Sequence, residues 1–158
     1  MTIRPEPISE AAFAPFGTLI RHRDGVAIAD ASSAFVHDPA ARQPVMEWVH
    51  MTESITLPLS VTRLEHHPFS SQTFLPHSGS PFLVVVCASF ADGTPDVSGA
   101  RAFEVPGTLG VTFHAKVWHR SLAPRTAPSA FVMAMMRTGR DDDTIFCDLD
   151  TLIEIEVP

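Results

Sequence analysis

Prolines and glycines interrupt this chain at short intervals, and this spacing constrains the fold more than any other feature. Fourteen prolines and eight glycines are spread over 158 residues, so few segments are long enough for a regular helix. The apolar segments between them alternate, or run continuously, in the way typical of strands. We therefore predict an all-β sandwich or barrel. The predicted strands cover residues 18–22, 45–51, 59–67, 82–90, 100–105, 109–119 and 129–137.

One short helix is predicted near the start of the chain. Ser9 can cap the segment EAAFAPF, which places Phe13 and Phe16 on one face, and Gly17 ends it. Residues 24–44 are small, polar and contain proline, so we expect a long loop there. No shift in composition or internal repeat divides the chain, which predicts a single domain over residues 1–158.

The charge balance excludes some classes of partner. The formal net charge is −7 and basic residues do not cluster, which argues against nucleic acid and anionic membranes. The chain has no apolar run long enough to span a membrane, and MTIRPEPISE lacks the apolar core of a signal peptide. Cys87 and Cys147 do not suggest a disulfide scaffold. We expect a cytoplasmic protein.

Ionisable side chains gather in two of the predicted strands. In LSVTRLEHH, alternation places Arg63, Glu65 and His67 on one face, with His66 on the other. In GVTFHAKVWH, the polar face carries His114, and His119 follows the apolar face. Such a polar face meets solvent in an ordinary sandwich but can line the lumen of a small barrel. We expect His66 and His119 to point away from that lumen.

The spacing Glu65-x-His67-x4-Gln72-x6-Gly79 resembles the first motif of the cupin family. The turn PGTLG followed by His114 resembles the second cupin motif, in which a glycine-containing turn presents one more histidine. Glu65 stands where the first histidine of the motif would be, and Gln72 where its glutamate would be. The resemblance implies a double-stranded β-helix, or jelly-roll barrel, with Glu65, His67, Gln72 and His114 pointing into the lumen.

Longer segments narrow this resemblance to one family. The segments PISEAAFAPFG, LEHHPFSSQTFLPHSG, PFLVVV, TPDVSGARAF and GVTFHAKVWH together resemble the ureidoglycolate lyase family over most of residues 7–122. This resemblance implies a cupin-like barrel, usually a homodimer, that splits ureidoglycolate into glyoxylate and urea during allantoin degradation. Divalent metal dependence is associated with the family. The apolar segment 82–90 is the expected subunit interface.

The chain also departs from the family pattern, which keeps other functions open. His66 stands where the family usually has arginine, and AFVHDPA lacks the arginine expected before His37. Met136 stands where an aspartate would precede Arg137. A diverged cupin enzyme acting on another small hydroxy- or oxo-acid is one alternative. A non-catalytic barrel that binds a small molecule is another.

Cleavage of a carbinolamide needs a base, an acid and a positive group for the carboxylate. We predict that Glu65, His67 and His114 are the catalytic residues, because histidine titrates near neutral pH and burial can raise the pKa of a glutamate. The predicted substrate-binding residues are Gln72 for the ureido group, Arg63 or Lys116 for the carboxylate, and Trp118, which shares the His114 face. The competing use of Glu65, His67, Gln72 and His114 is to bind a divalent ion of the nickel or zinc type.

Overall fold

The computed structural model describes residues 1–22, 24–25, 27 and 30–157. Within these ranges one α-helix, α1, covers Glu10–Phe13, and short 3-10 helices cover Ser32–Ala34 and Val97–Gly99. All other regular structure is β. The strands are β1 Thr2–Ile3, β2 Glu6–Pro7, β3 Gly17–Ile20, β4 Gln43–Met51, β5 Leu59–His66, β6 Gln72–Pro76, β7 Phe82–Cys87, β8 Arg101–Val105, β9 Gly110–Phe113, β10 Trp118–His119, β11 Ala123–Pro124, β12 Ser129–Arg137 and β13 Ile145–Ile155.

The strands form two sheets. The larger sheet has the order β1-β13-β5-β10-β7-β8-β2, with β11 also paired to β7. The smaller sheet has the order β3-β9-β6-β12-β4. Neighbouring strands are antiparallel except for β1 with β13 and β2 with β8, so the larger sheet is mixed.

The inner faces of the two sheets share one core. Phe82 and Phe103 of the larger sheet pack with Phe74, Phe131 and other residues of the smaller sheet in one buried cluster. The rings of Phe82 and Phe131 meet edge to face at 5.2 Å, across the space between the sheets. The larger sheet is strongly curled and forms a half-barrel around this core. The prediction of an all-β, cupin-like barrel is confirmed.

Strand β7 explains the uninterrupted apolar segment of the sequence. Its six residues are all buried, because Phe82, Val84 and Val86 face the core while the alternate residues face a second apolar cluster. That second cluster lies on the other face of the larger sheet and includes Trp118 and Ile153. The chain itself therefore covers both faces of β7. The expectation that this segment forms a subunit interface is wrong for residues 82–87.

Helix α1 forms where the sequence predicts it and packs against the core, but it ends at Phe13, whereas the predicted helix extends to Phe16. The side chain of Ser9 accepts a hydrogen bond from the backbone N–H of Ala12, and Phe13 is fully buried. Gly17 begins β3, where a Cβ atom would overlap the carbonyl oxygen of Thr112. A glycine is needed at this close approach. No helix in the described ranges is both long and apolar enough to cross a membrane.

Three features of the fold differ from the sequence prediction. Strands β6 and β13 were not among the predicted strands. The single strand predicted over 109–119 is two strands: β9 pairs in the smaller sheet and β10 in the larger one. Lys116 has a positive φ of 68° in the turn between them, so the chain crosses from one sheet to the other. The loop predicted over 24–44 includes a 3-10 helix and the first two residues of β4, and its residues 26, 28 and 29 lie outside the described residues.

Candidate active site

Three ionisable side chains meet at the inner face of the larger sheet. Glu65 lies near the end of β5, His67 directly follows that strand, and His119 ends β10. Glu65 and His119 are register partners, so their side chains leave the sheet on the same side. One potential ligand atom from each of the three residues lies within 4.8 Å of the others. We call Glu65, His67 and His119 the triad.

His119 is held in one orientation by the barrel core. Its ring stacks on Phe113 with centroids 4.3 Å apart, and its Nδ1 lies 2.9 Å from the carbonyl oxygen of Val117. Because a carbonyl can only accept, Nδ1 carries the proton and Nε2 presents a lone pair. Nε2 lies 3.1 Å from Oε1 of Gln72 and 3.6 Å from Oε1 of Glu65.

His67 is oriented in the same way by the turn before β13. Its Nδ1 lies 3.0 Å from the carbonyl oxygen of Asp143 and 3.2 Å from Oγ1 of Thr144. The carbonyl again requires the proton on Nδ1. Nε2 of His67 is buried and has no hydrogen-bond partner among the described residues. A buried polar atom without a partner is costly, which suggests a ligand at this position.

Burial shifts the pKa values of the triad toward its neutral forms. It raises the pKa of Glu65 above its ordinary value. It lowers the pKa of His67, and it lowers the pKa of His119 to about 3, with the neighbouring His67 adding to that effect. At neutral pH both imidazoles are therefore uncharged and can accept a proton or bind a metal ion.

The triad opens into a pocket of about 290 Å³ between the two sheets. Glu65 and His67 line it, and His119 contacts two of the lining residues, Glu65 and Gln72. The rim carries an ion pair in which Nη1 of Arg137 lies 3.5 Å from Oε1 of Glu47. Among the described residues, Arg137 is the only cationic side chain that lines this pocket. The other lining residues are Val49, Met51, Gln72, Phe74, Ser121, Leu122, Met133, Thr144 and Phe146.

The structure brings together three of the predicted site residues, namely Glu65, His67 and Gln72. It separates His114 from them. His114 is exposed in the turn after β9, and its backbone N–H bonds the carbonyl oxygen of Phe16. The prediction that His114 points into the lumen is wrong, and His119 takes that place. The apolar face of GVTFHAKVWH packs inside the barrel, since Val111, Phe113 and Val117 belong to its core.

The predicted substrate-binding residues Arg63, Lys116 and Trp118 also lie outside the pocket. Arg63 forms a two-point ion pair with Asp148 on the surface. Lys116 is exposed in the turn between β9 and β10, where its backbone N–H bonds the carbonyl oxygen of His67. Trp118 is buried on the opposite face of the larger sheet. These three placements contradict the predicted contacts with substrate.

Sequence reasoning missed His119 and did not assign a role to Arg137. His119 could have been found from the sequence, because even spacing places it on the same strand face as Val111, Phe113 and Val117. In this barrel that apolar face is the inner face. Arg137 could have been found from the sequence, because the ureidoglycolate lyase family also has an arginine at this position. Strand β12 places Arg137 on the same inner face as Phe131, Met133 and Met135.

The donor set fits a divalent metal ion. Two lone pairs, those of His119 Nε2 and Gln72 Oε1, face each other at 3.1 Å. Their repulsion is relieved by turning the amide NH₂ toward the ring, by a proton, or by a shared ion. Ligand atoms that share one ion at about 2.1 Å lie about 3.0–3.4 Å apart, which is close to the distances of 3.1 Å and 3.6 Å from His119 Nε2 to Gln72 and Glu65. The unpartnered Nε2 of His67 provides a further donor.

The curled half-barrel and the inward-facing His/Glu cluster define a cupin-like protein with a possible metal-binding triad. Comparison with known proteins makes the class specific. The family model described as ureidoglycolate lyase matches residues 1–155, and the chain belongs to this family.

Relatives agree with this assignment over nearly the whole chain. A protein of Agrobacterium fabrum that is provisionally named ureidoglycolate lyase is 33% identical, covering 99% of this chain and 96% of its own length. A ureidoglycolate lyase of Escherichia coli O139:H28 is 31% identical, with 99% and 98% covered. A ureidoglycolate lyase of Shigella boydii serotype 18 has the same identity and coverage.

Proposed function

We propose that this protein is a ureidoglycolate lyase that cleaves ureidoglycolate to glyoxylate and urea. The observation that carries the proposal is the triad together with Arg137 in one pocket. The family and the names of its relatives supply the substrate. The pocket volume of about 290 Å³ suits a small polar acid.

Arg137 is the group that we assign to the substrate carboxylate. Its guanidinium lines the pocket at the end of β12 and can bind a carboxylate through two parallel hydrogen bonds. Arg63 and Lys116, which the sequence favoured for this role, are too far out on the surface. The negative charges of Glu47, Glu65 and an anionic substrate together outnumber the single positive charge of Arg137. The raised pKa of Glu65 lessens this repulsion, and so does a cation held by the triad.

The proton transfer is assigned to atoms that face the pocket. The reaction removes the hydroxyl proton, turns the O–H electron pair into the carbonyl of glyoxylate, and breaks the C–N bond. The urea nitrogen then takes a proton, so atoms and charge balance. Nε2 of His67 is buried and deprotonated and has no hydrogen-bond partner in the part of the chain that the structure describes, so it accepts the hydroxyl proton and returns it to the leaving nitrogen. Gln72 orients the ureido group from strand β6 of the smaller sheet.

Glu65, His67 and His119 are also the residues that would hold a divalent ion, with Gln72 as a weak fourth donor. A bound ion of the nickel or zinc type would polarise the hydroxyl and carboxylate oxygens of the substrate. The two uses of the triad differ in the state of His67 Nε2, which is a base in one and a ligand in the other.

The first experiment is urea release from racemic ureidoglycolate by the purified protein, with and without a chelator. Release that survives chelation supports His67 as the base. Release that is lost with chelator and restored by zinc or nickel makes the triad a metal site. No release under either condition, with the protein folded and metal supplied, would refute the proposed function.

Two histidine variants test the placement of the site. His119→Asn should lower kcat/KM by about 100-fold or more, since a positioned proton-transfer group or metal ligand contributes roughly that much. His114→Ala is the matched control, and its activity should stay near that of the wild type. The reverse order of effects would contradict the assignment of His119 to the site.

We further propose that the protein is a homodimer, joined through the outer face of the smaller sheet. Trp48 of the edge strand β4 is 59% exposed. It pairs with Val132 of β12, which pairs in turn with Leu75 of β6, so the three side chains form an apolar row across the sheet. Met46 on the same face is 78% exposed. The row carries no acidic side chain in a chain of net charge −7, so two copies can meet there without charge repulsion.

Sedimentation velocity tests this interface. The wild type should sediment as a dimer, and Trp48→Glu should shift it to a monomer. Phe90→Glu is the control, because Phe90 is similarly exposed on another part of the surface. A wild-type monomer, or a Trp48→Glu dimer of unchanged stability, would rule out this face.

A further inference from the structure

We propose that Asp143 is a positioning residue, which closes the turn between β12 and β13 so that its own backbone carbonyl fixes the tautomer and ring orientation of His67. This inference rests on the proposed role of His67 in the active site. It concerns the segment RDDD, residues 140–143, whose acidic composition is typical of a solvated loop. Among its three aspartates, Asp141 and Asp142 are exposed but Asp143 is buried.

The carboxylate of Asp143 holds the turn together. It accepts hydrogen bonds from the backbone N–H of Thr138 at 2.8 Å, from the hydroxyl of Thr138 at 2.9 Å and from the backbone N–H of Gly139 at 2.9 Å. Gly139 adopts a positive φ of 82°, which lets the chain reverse at this point. The carboxylate thereby ties the two residues that follow β12 to Asp143, which lies two residues before β13.

The closed turn points one carbonyl at the active site. The carbonyl oxygen of Asp143 lies 3.0 Å from Nδ1 of His67, and Oγ1 of the next residue, Thr144, lies 3.2 Å from the same atom. Because the carbonyl only accepts, it forces the His67 proton onto Nδ1 and leaves the Nε2 lone pair facing the pocket. Arg137, the proposed carboxylate anchor, is the residue immediately before this turn. The turn that positions the imidazole therefore begins directly after the strand residue that carries the guanidinium.

The test is the imidazole tautomer of His67, read from its ¹⁵N chemical shifts by long-range ¹H–¹⁵N NMR on the chelator-treated full-length protein. The wild type should show the proton on Nδ1. In Asp143→Ala the freed ring should populate the Nε2–H form as well. Asp142→Ala removes a neighbouring exposed carboxylate and should leave the spectrum of His67 unchanged.

Two milder variants keep the inference testable if Asp143→Ala does not fold. Thr138→Val removes one hydrogen bond to the carboxylate and should cause a smaller shift in the same direction. Thr144→Val removes the hydroxyl near Nδ1 but keeps the carbonyl, so the tautomer should not change. A folded Asp143→Ala with the wild-type tautomer would overturn the inference, and so would a tautomer change in Thr144→Val alone.

Kinetics give a second readout that a purely structural role would not produce. With ureidoglycolate, Asp143→Ala should lower kcat by about 10–100-fold while KM changes little, as is typical when a hydrogen-bond partner that orients an active-site histidine is lost. If the wild type does not act on ureidoglycolate, the proposed function fails but the tautomer result still decides the role of Asp143.

Discussion

Replacing Gln72 by glutamate should change stability in opposite directions with and without a metal ion. Oε1 of Gln72 and Oε1 of Glu65 lie 3.1 Å and 3.6 Å from the same nitrogen, Nε2 of His119. Gln72 is buried, with a relative exposure of 6% for the whole residue. Gln72→Glu therefore places a second carboxylate beside that of Glu65 with little water between them.

The magnitude is that expected for two carboxylates that lie side by side. Two like charges about 4 Å apart repel by about 4 kcal/mol at an effective dielectric constant of 20. Uptake of a proton by one carboxylate limits the loss, so we expect the metal-free variant to be less stable by about 2 kcal/mol. That corresponds to a fall in Tm of about 4–8 °C for a domain of this size. A divalent ion reverses the sign, because both carboxylates then attract it, and zinc affinity should rise at least about 10-fold.

The assay is thermal unfolding in chelator and in excess zinc, together with a competition titration of zinc affinity. Gln43→Glu is the matched control, since it adds the same charge at an exposed position of β4. The control should melt like the wild type in both conditions. If Gln72→Glu also melts like the wild type with and without zinc, position 72 does not interact electrostatically with Glu65 or with an ion bound by the triad.

Two further predictions concern the scaffold. Gly17→Ala should lower the free energy of unfolding by about 2 kcal/mol or more in urea titrations, because the new methyl group overlaps the carbonyl oxygen of Thr112 and the ring of Phe13; an unchanged midpoint would refute the close approach. For Asp143, burial alone would raise the pKa, but the hydrogen bonds from Thr138 and Gly139 hold it below its ordinary value. Its carboxylate therefore stabilises the fold above the unfolded pKa of about 4, and this contribution is lost as the pH falls through the lower folded pKa. The difference in unfolding free energy between wild type and Asp143→Asn should be largest near pH 7 and shrink below about pH 4; a difference that grows in acid would contradict this sign.

The fold was largely accessible from local patterns. Alternation and turn residues located β4, β5, β7, β8 and β12 to within a few residues. Strand β6 was missed because the segment QTFLP is short and begins with a buried amide, which looks polar in sequence. Strand β13 was missed because its residues alternate with acidic ones and follow the RDDD turn, so the segment looks solvated.

The candidate site was accessible only in part. Glu65, His67 and Gln72 lie within eight residues of one another, so a local motif was enough to group them. His119 and Arg137 reach the same pocket from β10 and β12, and only the pairing of distant strands brings them there. The sequence does not show which polar residues are exposed and which are buried. For this reason Arg63, Lys116 and His114 seemed as suitable for the active site as the residues that line the pocket.

The sequence by itself determined that this protein is a β-barrel of the ureidoglycolate lyase family, because turn residues, strand periodicity and family motifs are local properties of the chain. The tertiary structure decided which face of each strand points inward. In GVTFHAKVWH the alternation separates an apolar from a polar face, but it does not decide which of the two faces points into the barrel. Packing of Phe113 and Val117 into the core turned His119 toward Glu65 and left His114 in solvent.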